Sequence, residues 1–321
     1  MKKVLINKPI HNDALERLSK EVEIIKPYKQ PSSDISKLLT DVQGIILCAG
    51  LTLNAETIAG CKSLEVIGRH GAGLDIVDIS AATARGLPVV FTPEGPTEST
   101  AEHAFMLMMA AARKLSYLDR ATRDGRFHVR DEVVGRELRG AKVGVVGFGH
   151  IGQRFAQMCR NALEMEVFAF DPFVDRAAIE TWGAVFRDDL VRMAEEVDVL
   201  SLHCPSTPQT YQLVNSDVIQ ALGPKGFLVN ASRGPVVDEA ALIEALQQGK
   251  LAGAGLDVYD PEPPDENNPL FKLDNIVLTP HLASFTDEGR RRMGMTVAED
   301  VLRVLNGEMP VYPANPEVLN K

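Results

Sequence analysis

Near its end the chain reads Asn275-Ile-Val-Leu-Thr-Pro-His-Leu-Ala-Ser284, an apolar strand that runs into a histidine. His281 stands where such a strand emerges from its sheet, and an imidazole exchanges protons near neutral pH. Four earlier strands end in polar groups too. Asp171 closes Val167-Phe-Ala-Phe170, and His203 closes Val199-Leu-Ser-Leu202. Ser232 and Arg233 follow Phe227-Leu-Val-Asn-Ala231, and Asp257 follows Gly255-Leu256. A guanidinium can fix a carboxylate and stabilise growing negative charge, and a carboxylate can accept hydroxyl hydrogen bonds. Ligands of open α/β sheets bind beyond the carboxyl ends of the strands. One polar strand end reads as a solvated terminus; five in succession read as a ligand-binding edge.

A glycine pattern lies upstream of these groups. Val143-Gly-Val-Val-Gly147-Phe-Gly149-His-Ile-Gly152 places GxGxxG between a predicted strand and a helix that opens with His150 and Ile151. The first glycine permits the tight turn, the second lets a pyrophosphate approach the backbone, and the third lets helix and strand pack closely. Asp171 follows at the end of the next strand, where a carboxylate accepts the adenosine ribose hydroxyls. It would repel the 2′-phosphate of NADP, so NAD is the expected cofactor.

These groups need a scaffold. Val4–Ile6, Val22–Ile25, Ile45–Cys48, Leu64–Ile67 and Val89–Phe91 read as strands separated by helical stretches. Pro96 to Thr122 reads as one long helix, with Ala101, Ala104, Phe105, Met108, Met109 and Ala112 on one face. Gly125 to Gly140 is polar and reads as a loop or a subunit contact. A second alternation follows, with strands at Lys142–Val146, Glu166–Phe170, Val197–Leu202, Gly226–Asn230, Gly253–Leu256 and Ile276–Thr279, and a helix from a cap at Asp238 to Gly249. Such alternation predicts α/β architecture, with parallel sheets covered on both faces.

The bulk properties exclude several classes. With 321 residues, 45% apolar and 24% charged, the chain has material for two domains with large cores. Its net charge of -10 and lack of a basic block give nucleic-acid binding no support. The opening MKKVLINKPI lacks the apolar core of a signal peptide, and Ala104–Ala112 is too short to span a bilayer. Cys48, Cys61, Cys159 and Cys204 have no metal-ligand spacing, so free thiols in a reducing cytoplasm and no metal site are expected.

The motifs GFGHIG, FDP, HCPST, NASRG, GLDVYDPEPP and TPH, with Gly71-Ala-Gly-Leu-Asp75 and Thr100-Ala-Glu-His103, resemble in order and spacing the NAD-dependent D-2-hydroxyacid dehydrogenases. Phosphoglycerate, glyoxylate and hydroxypyruvate oxidoreductases belong to that family. The resemblance implies a Rossmann-type cofactor domain near residues 99–284. A flavodoxin-like substrate domain would form from 1–98 and 285–321, with a homodimer contact around Gly125–Arg139. It implies hydride transfer between NAD(H) and a small 2-hydroxy or 2-oxo acid, D-stereospecific, in a cleft that closes. Arg233 would bind the substrate carboxylate, His281 would be the acid–base, and Glu262 would hold its imidazole. Ala72 and Gly73 would hold the carboxylate through backbone N–H groups. His203, Pro205 and Thr210 would pack along the cofactor, Asp257 would meet the nicotinamide amide, and Ala231 and Ala283 would line the cofactor site. Arg69 either meets a substrate anion or pairs with Asp75 or Asp78, and His70 stands where a small residue is expected. Alternatives are a phosphite or formate dehydrogenase on the same fold, or an NAD-sensing corepressor. The formate enzymes pair glutamine with the histidine, so Glu262 argues against that activity.

Overall fold

Apolar strands alternating with helices bury both faces of a parallel sheet, and this chain builds two such sheets. The computed structural model describes residues 1–29 and 38–319. Contacts divide the chain into two units, Met1–Thr97 with Ser284–Lys321, and Glu98–Ala283.

In the first unit, β1 (Lys3–Ile6), β2 (Glu23–Ile25), β3 (Gly44–Leu47), β4 (Val66–Arg69) and β5 (Val89–Phe91) form a parallel sheet in the order β2-β1-β3-β4-β5. That order is flavodoxin-like. Val4, Ile6, Ile46 and Val66 face the helices Asn12–Ser19 and Asp287–Leu305 through Leu18, Val297 and Val301. Leu5, Ile45, Leu47 and Ile67 bury the other face with Ile58 and Ala82. Gly68 lets the long C-terminal helix sit close, since a Cβ there would lie 2.5 Å from a Val301 methyl. The chain end then covers β5. Ala314 N–H donates to Val89 O (2.7 Å), and buried Asp300 accepts the N–H groups of Val311 and Tyr312, both at 2.8 Å.

The second unit contains β6 (Lys142–Val146), β7 (Glu166–Phe170), β8 (Val185–Phe186), β9 (Val199–Leu202), β10 (Phe227–Asn230), β11 (Gly253–Leu256) and β12 (Ile276–Leu278). Their parallel order, β12-β11-β10-β9-β6-β7-β8, is doubly wound with its switch point between β6 and β9. β9, β10 and β11 are buried along their whole length, so they read as apolar runs rather than alternating patterns.

Three sequence expectations are corrected. The predicted helix over Pro96–Thr122 is two helices, Thr97–Ala112 and Leu115–Arg123, broken at Lys114 with φ 53°. The buried face ends at Ala112, whose carbonyl accepts from Arg136 N–H at 2.8 Å, so a loop takes over where the helix would have continued. The segment from Gly125 contains a 3-10 turn at Phe127–Asp131. The two-residue strand β8 was missed, being too short to carry periodicity. The four cysteines are free and buried, as expected.

Candidate functional site

The glycine turn follows directly from β6. Gly147 has φ +90°, and a Cβ on it would lie 2.7 Å from Cys204 N. A Cβ on Gly152 would lie 2.1 Å from the Gly147 carbonyl, so only glycine lets the helix His150–Leu163 start so close to its strand. Around Gly149 the space is open, with no atom within 4 Å of a Cβ built there. That helix has no side-chain cap, which leaves its first N–H groups for an anion. An uncapped helix start, an open second glycine and tight first and third glycines fit a dinucleotide pyrophosphate. Asp171 sits at the end of β7, and its carboxylate accepts Phe148 N–H and Phe173 N–H, both at 2.8 Å. These bonds tie β7 to the turn and leave lone pairs for further donors.

His203 follows β9 against the same turn. Its Nε2 lies 2.9 Å from Ser201 Oγ and its ring packs against Phe155 at a tilt of 40°, while Nδ1 is buried without a partner. Burial lowers its pKa to about 3. The ring is therefore neutral when folded, whereas the unfolded chain takes up a proton below about pH 6.5. Stability from this group is fully present above that pH and is lost as pH falls towards 3. At pH 5 the loss is expected to be roughly 2 kcal/mol. His203→Gln should shrink the fall in melting temperature between pH 7 and pH 5; an unchanged fall would place the acid sensitivity elsewhere. Beyond it the loop closes on itself. The Thr210 hydroxyl donates to Pro205 O at 2.7 Å and accepts from Thr207 N–H at 2.8 Å.

Arg233, Glu262 and His281 come from the segments that follow three neighbouring strands, β10, β11 and β12. Arg233 leaves β10 in extended conformation, with its Nη1 donating to Ser232 O at 2.7 Å. The next residue, Gly234, packs so tightly that a Cβ would lie 1.7 Å from Tyr259 O. That contact fixes the arginine turn against the segment leading to Glu262. The Glu262 carboxylate is hydrogen-bonded to His281 Nδ1, and both side chains are about one-third exposed (38%). Bonding through Nδ1 leaves Nε2 for other groups.

His281 lies in the left-handed region, φ +52°, which needs support at a residue with a β-carbon. Asp257 supplies that support. It is wholly buried at the end of β11, and its carboxylate accepts Thr279 Oγ1–H (2.6 Å), Leu282 N–H (3.0 Å) and Ala283 N–H (2.8 Å). Its carbonyl accepts His281 N–H at 2.8 Å. Burial pushes the Asp257 carboxyl up, but the bonds from His103, Thr279, Leu282 and Ala283 outweigh it and hold it below its ordinary value. With Thr279 donating to Asp257, His103 Nε2 is the donor to Thr279 Oγ1 at 2.9 Å. Tyr259 adds its hydroxyl to Thr279 O at 2.9 Å, and burial raises that phenol to about 12. Sequence reasoning missed the parts played by His103, Thr279 and Tyr259. The stretches Thr100–His103, GLDVYDPEPP and TPH each hold one of them, but none hinted that His103 meets Thr279 176 residues away.

In the first unit, Ala72 and Gly73 form a turn after β4, partly exposed at the carboxyl edge of the sheet. Gly71, φ +142°, donates to Thr92 Oγ1 at 2.9 Å. Arg69 is buried beneath the turn, with Nε donating to Gly73 O at 2.8 Å and Nη1 to Leu47 O at 3.3 Å and to His70 O. Its guanidinium therefore props the turn from below.

Comparison with known proteins agrees with this architecture. Residues 105–283 match the family model described as "D-isomer specific 2-hydroxyacid dehydrogenase, NAD binding domain". A D-3-phosphoglycerate dehydrogenase of Archaeoglobus fulgidus is 41% identical over 97% of this chain and 59% of that protein. The chain thus spans about three-fifths of that relative's length. A glyoxylate reductase of Korarchaeum cryptofilum is 34% identical over 99% of this chain and 97% of the reductase. The crystal structure of an NADPH-dependent glyoxylate/hydroxypyruvate reductase from Sinorhizobium meliloti, in complex with NADP and malonate, superposes with a TM-score of 0.85. It is 34% identical and covers 98% of this chain and 96% of that one. The chain belongs to the D-isomer-specific 2-hydroxyacid dehydrogenase family, and its second unit carries the family's NAD-binding domain.

Proposed function

We propose that the protein is an NAD-dependent oxidoreductase that interconverts a small 2-oxo acid and the corresponding D-2-hydroxy acid. The observation that carries this reading is the Glu262–His281 hydrogen bond at the end of β12, in a chain whose relatives include enzymes named phosphoglycerate dehydrogenase and glyoxylate reductase. Gly147, Gly149, His150, Ile151 and Gly152 would cradle the dinucleotide pyrophosphate. Asp171 would take the adenosine ribose, and the loop of His203, Pro205 and Thr210 with Ala231 would flank the cofactor. When bound, the nicotinamide supplies or accepts the hydride.

The chain's own residues do the rest. Arg233 fixes the acid's carboxylate and draws electron density toward the carbonyl oxygen. His281, held through Nδ1 by Glu262, gives a proton from Nε2 to that oxygen in reduction and takes it back in oxidation. The Ala72–Gly73 turn of the first unit offers backbone N–H groups suited to an anion. We place Asp257 in support of the His281 loop rather than on the nicotinamide amide, because its oxygens already serve that loop. Glu262→Gln removes the charge from the Nδ1 partner and should lower kcat for reduction by about tenfold with NADH binding retained, and an unchanged kcat would remove Glu262 from this role.

Oxidation of NADH across a panel of 2-oxo acids, with NADPH as control, tests the reading. NADH is expected to be preferred, because the Asp171 carboxylate repels a 2′-phosphate. Absence of turnover with every acid would overturn the activity, and equal rates with both cofactors would overturn the role of Asp171. We further propose a cytoplasmic homodimer whose contact includes the segment Gly125–Arg139, where Phe127 and Val134 expose 66% and 83% of their surface. Sedimentation of the purified chain as a monomer would reject the dimer.

A further inference from the structure

Within the second unit, the helix Thr97–Ala112 rests directly on β11. A Cβ on Gly255 would lie 2.8 Å from Leu107 Cβ and 3.1 Å from its carbonyl oxygen, so helix and strand meet there with no side chain between them. His103 lies four residues before Leu107, on the same helical face. Asp257 lies two residues after Gly255, on the same face of the sheet. The close approach at Gly255 therefore seats the His103 imidazole over the carboxyl end of β11. Its side chain is about one-tenth exposed (11%), and that of Asp257 is wholly buried.

The proton count fixes who donates to whom. His103 Nε2 stands 2.9 Å from Thr279 Oγ1 and 3.5 Å from Asp257 Oδ1. Thr279 has one hydroxyl proton, and its Oγ1 lies 2.6 Å from Asp257 Oδ1, so that proton goes to the carboxylate. The contact between His103 and Thr279 then needs a proton on Nε2. Burial raises the Asp257 carboxyl, and among the bonds that hold it below its ordinary value the one from His103 weighs most. The same carboxylate accepts Leu282 N–H and Ala283 N–H at 3.0 and 2.8 Å, and the Asp257 carbonyl accepts His281 N–H at 2.8 Å. Those bonds surround His281, whose φ of +52° persists only where its surroundings impose it. A carboxylate that turned would release two N–H groups of that loop at once.

We propose that His103 is a positioning residue for His281: its Nε2–H, through Thr279 Oγ1, locks the Asp257 carboxylate in the orientation that holds the His281 loop. The inference rests on the proposed function and adds to it a residue that acts through two others. Glu262 fixes the imidazole of His281 through Nδ1, and His103 fixes the backbone that carries it. Both are needed to aim Nε2, because a side chain is directed only as well as its Cα is placed. Without a donor at position 103, Thr279 Oγ1 keeps an unfilled lone pair, and its hydroxyl can turn to Leu256 O, 3.4 Å away. Asp257 then loses the shortest of its three bonds to Thr279, Leu282 and Ala283.

Two polar replacements separate this role from packing. Glutamine reaches as far as imidazole Nε2 and can donate from there, whereas asparagine, one carbon shorter, reaches only as far as Nδ1. His103→Asn is expected to lower kcat for 2-oxo acid reduction by about ten- to a hundredfold with KM for NADH unchanged, and His103→Gln to restore most of that loss. The chain has 7 histidines, so in protein labelled with 15N-histidine each ring is assigned by its absence in a variant. The His281 ring resonances should shift in His103→Asn and return in His103→Gln. The native protein should carry a proton on His103 Nε2, a measurement that stands even if His103→Asn folds poorly. Unmoved His281 resonances in His103→Asn overturn the inference whatever happens to its melting temperature, because they assign His103 to packing alone. A native kcat in that variant, a fall in NADH affinity that matches the fall in kcat, or a bare His103 Nε2 in the native protein overturns it as well. If the native chain reduces no 2-oxo acid, the proposed activity fails, and the His281 resonances alone decide whether His103 holds the loop.

Discussion

Replacing His281 with glutamine is expected to lower kcat for 2-oxo acid reduction by about two to four orders of magnitude, the usual contribution of a positioned general acid. Glutamine keeps a polar side chain of similar reach but has no proton to give at neutral pH. Glu262 then loses its imidazole partner, while the glycine turn and Asp171 are untouched. The expected signature is therefore a collapsed kcat with NADH binding retained, read by steady-state kinetics beside a fluorescence titration of the coenzyme. If His281→Gln turns over at the native rate, another group carries the proton, and the reading of the β12 edge fails. Glu262→Gln should cost less, because the imidazole remains and loses only its anchor.

The second large effect concerns stability and activity together. Asp257→Asn keeps the shape of the buried carboxylate but replaces one acceptor oxygen with a donor. In the native protein both oxygens accept, Oδ1 from Thr279 and Leu282 and Oδ2 from Ala283. Whichever way the amide is turned, its NH2 faces a donor, and one buried N–H or O–H is left unpaired. The expected cost is about 2–4 kcal/mol, since a buried unsatisfied group loses its desolvation energy and the charged bonds are lost as well. Because those bonds hold His281 in its left-handed conformation, the loop should also relax. A shift of about 1 Å at a reacting group is enough to cost about a hundredfold in rate. Chemical unfolding of the variant with a parallel kcat measurement checks both parts. Native stability with native kcat would show that the loop holds its shape without the carboxylate.

Much of the fold was legible because the strands of parallel sheets are buried on both faces and stand out as apolar runs. Gly253–Leu256 and Val89–Phe91 fall where the sequence placed them, whereas β4 lies two residues beyond the predicted Leu64–Ile67. The error there is instructive. Leu64 is apolar and buried but packs in the turn before the strand, while Arg69, a charged residue, is buried inside it because backbone carbonyls neutralise its cost. Composition alone cannot anticipate a guanidinium satisfied by main-chain oxygens. The break at Lys114 was hidden for a related reason. The residues around it have good helix propensity, and it was a carbonyl captured by a distant loop that ended the helix.

The sequence by itself determined the glycine turn, the acid at the end of β7 and the emergence of Arg233 and His281 from strand ends, because each depends on residue type and local spacing. A glycine tolerates φ values and close approaches that side chains forbid, and a strand delivers its next residue to the sheet edge wherever the strand lies. Only the tertiary structure decided which partners those residues meet. Glu262 reaches His281 across 19 residues, and His103 reaches Thr279 across 176, because parallel strands set distant segments side by side.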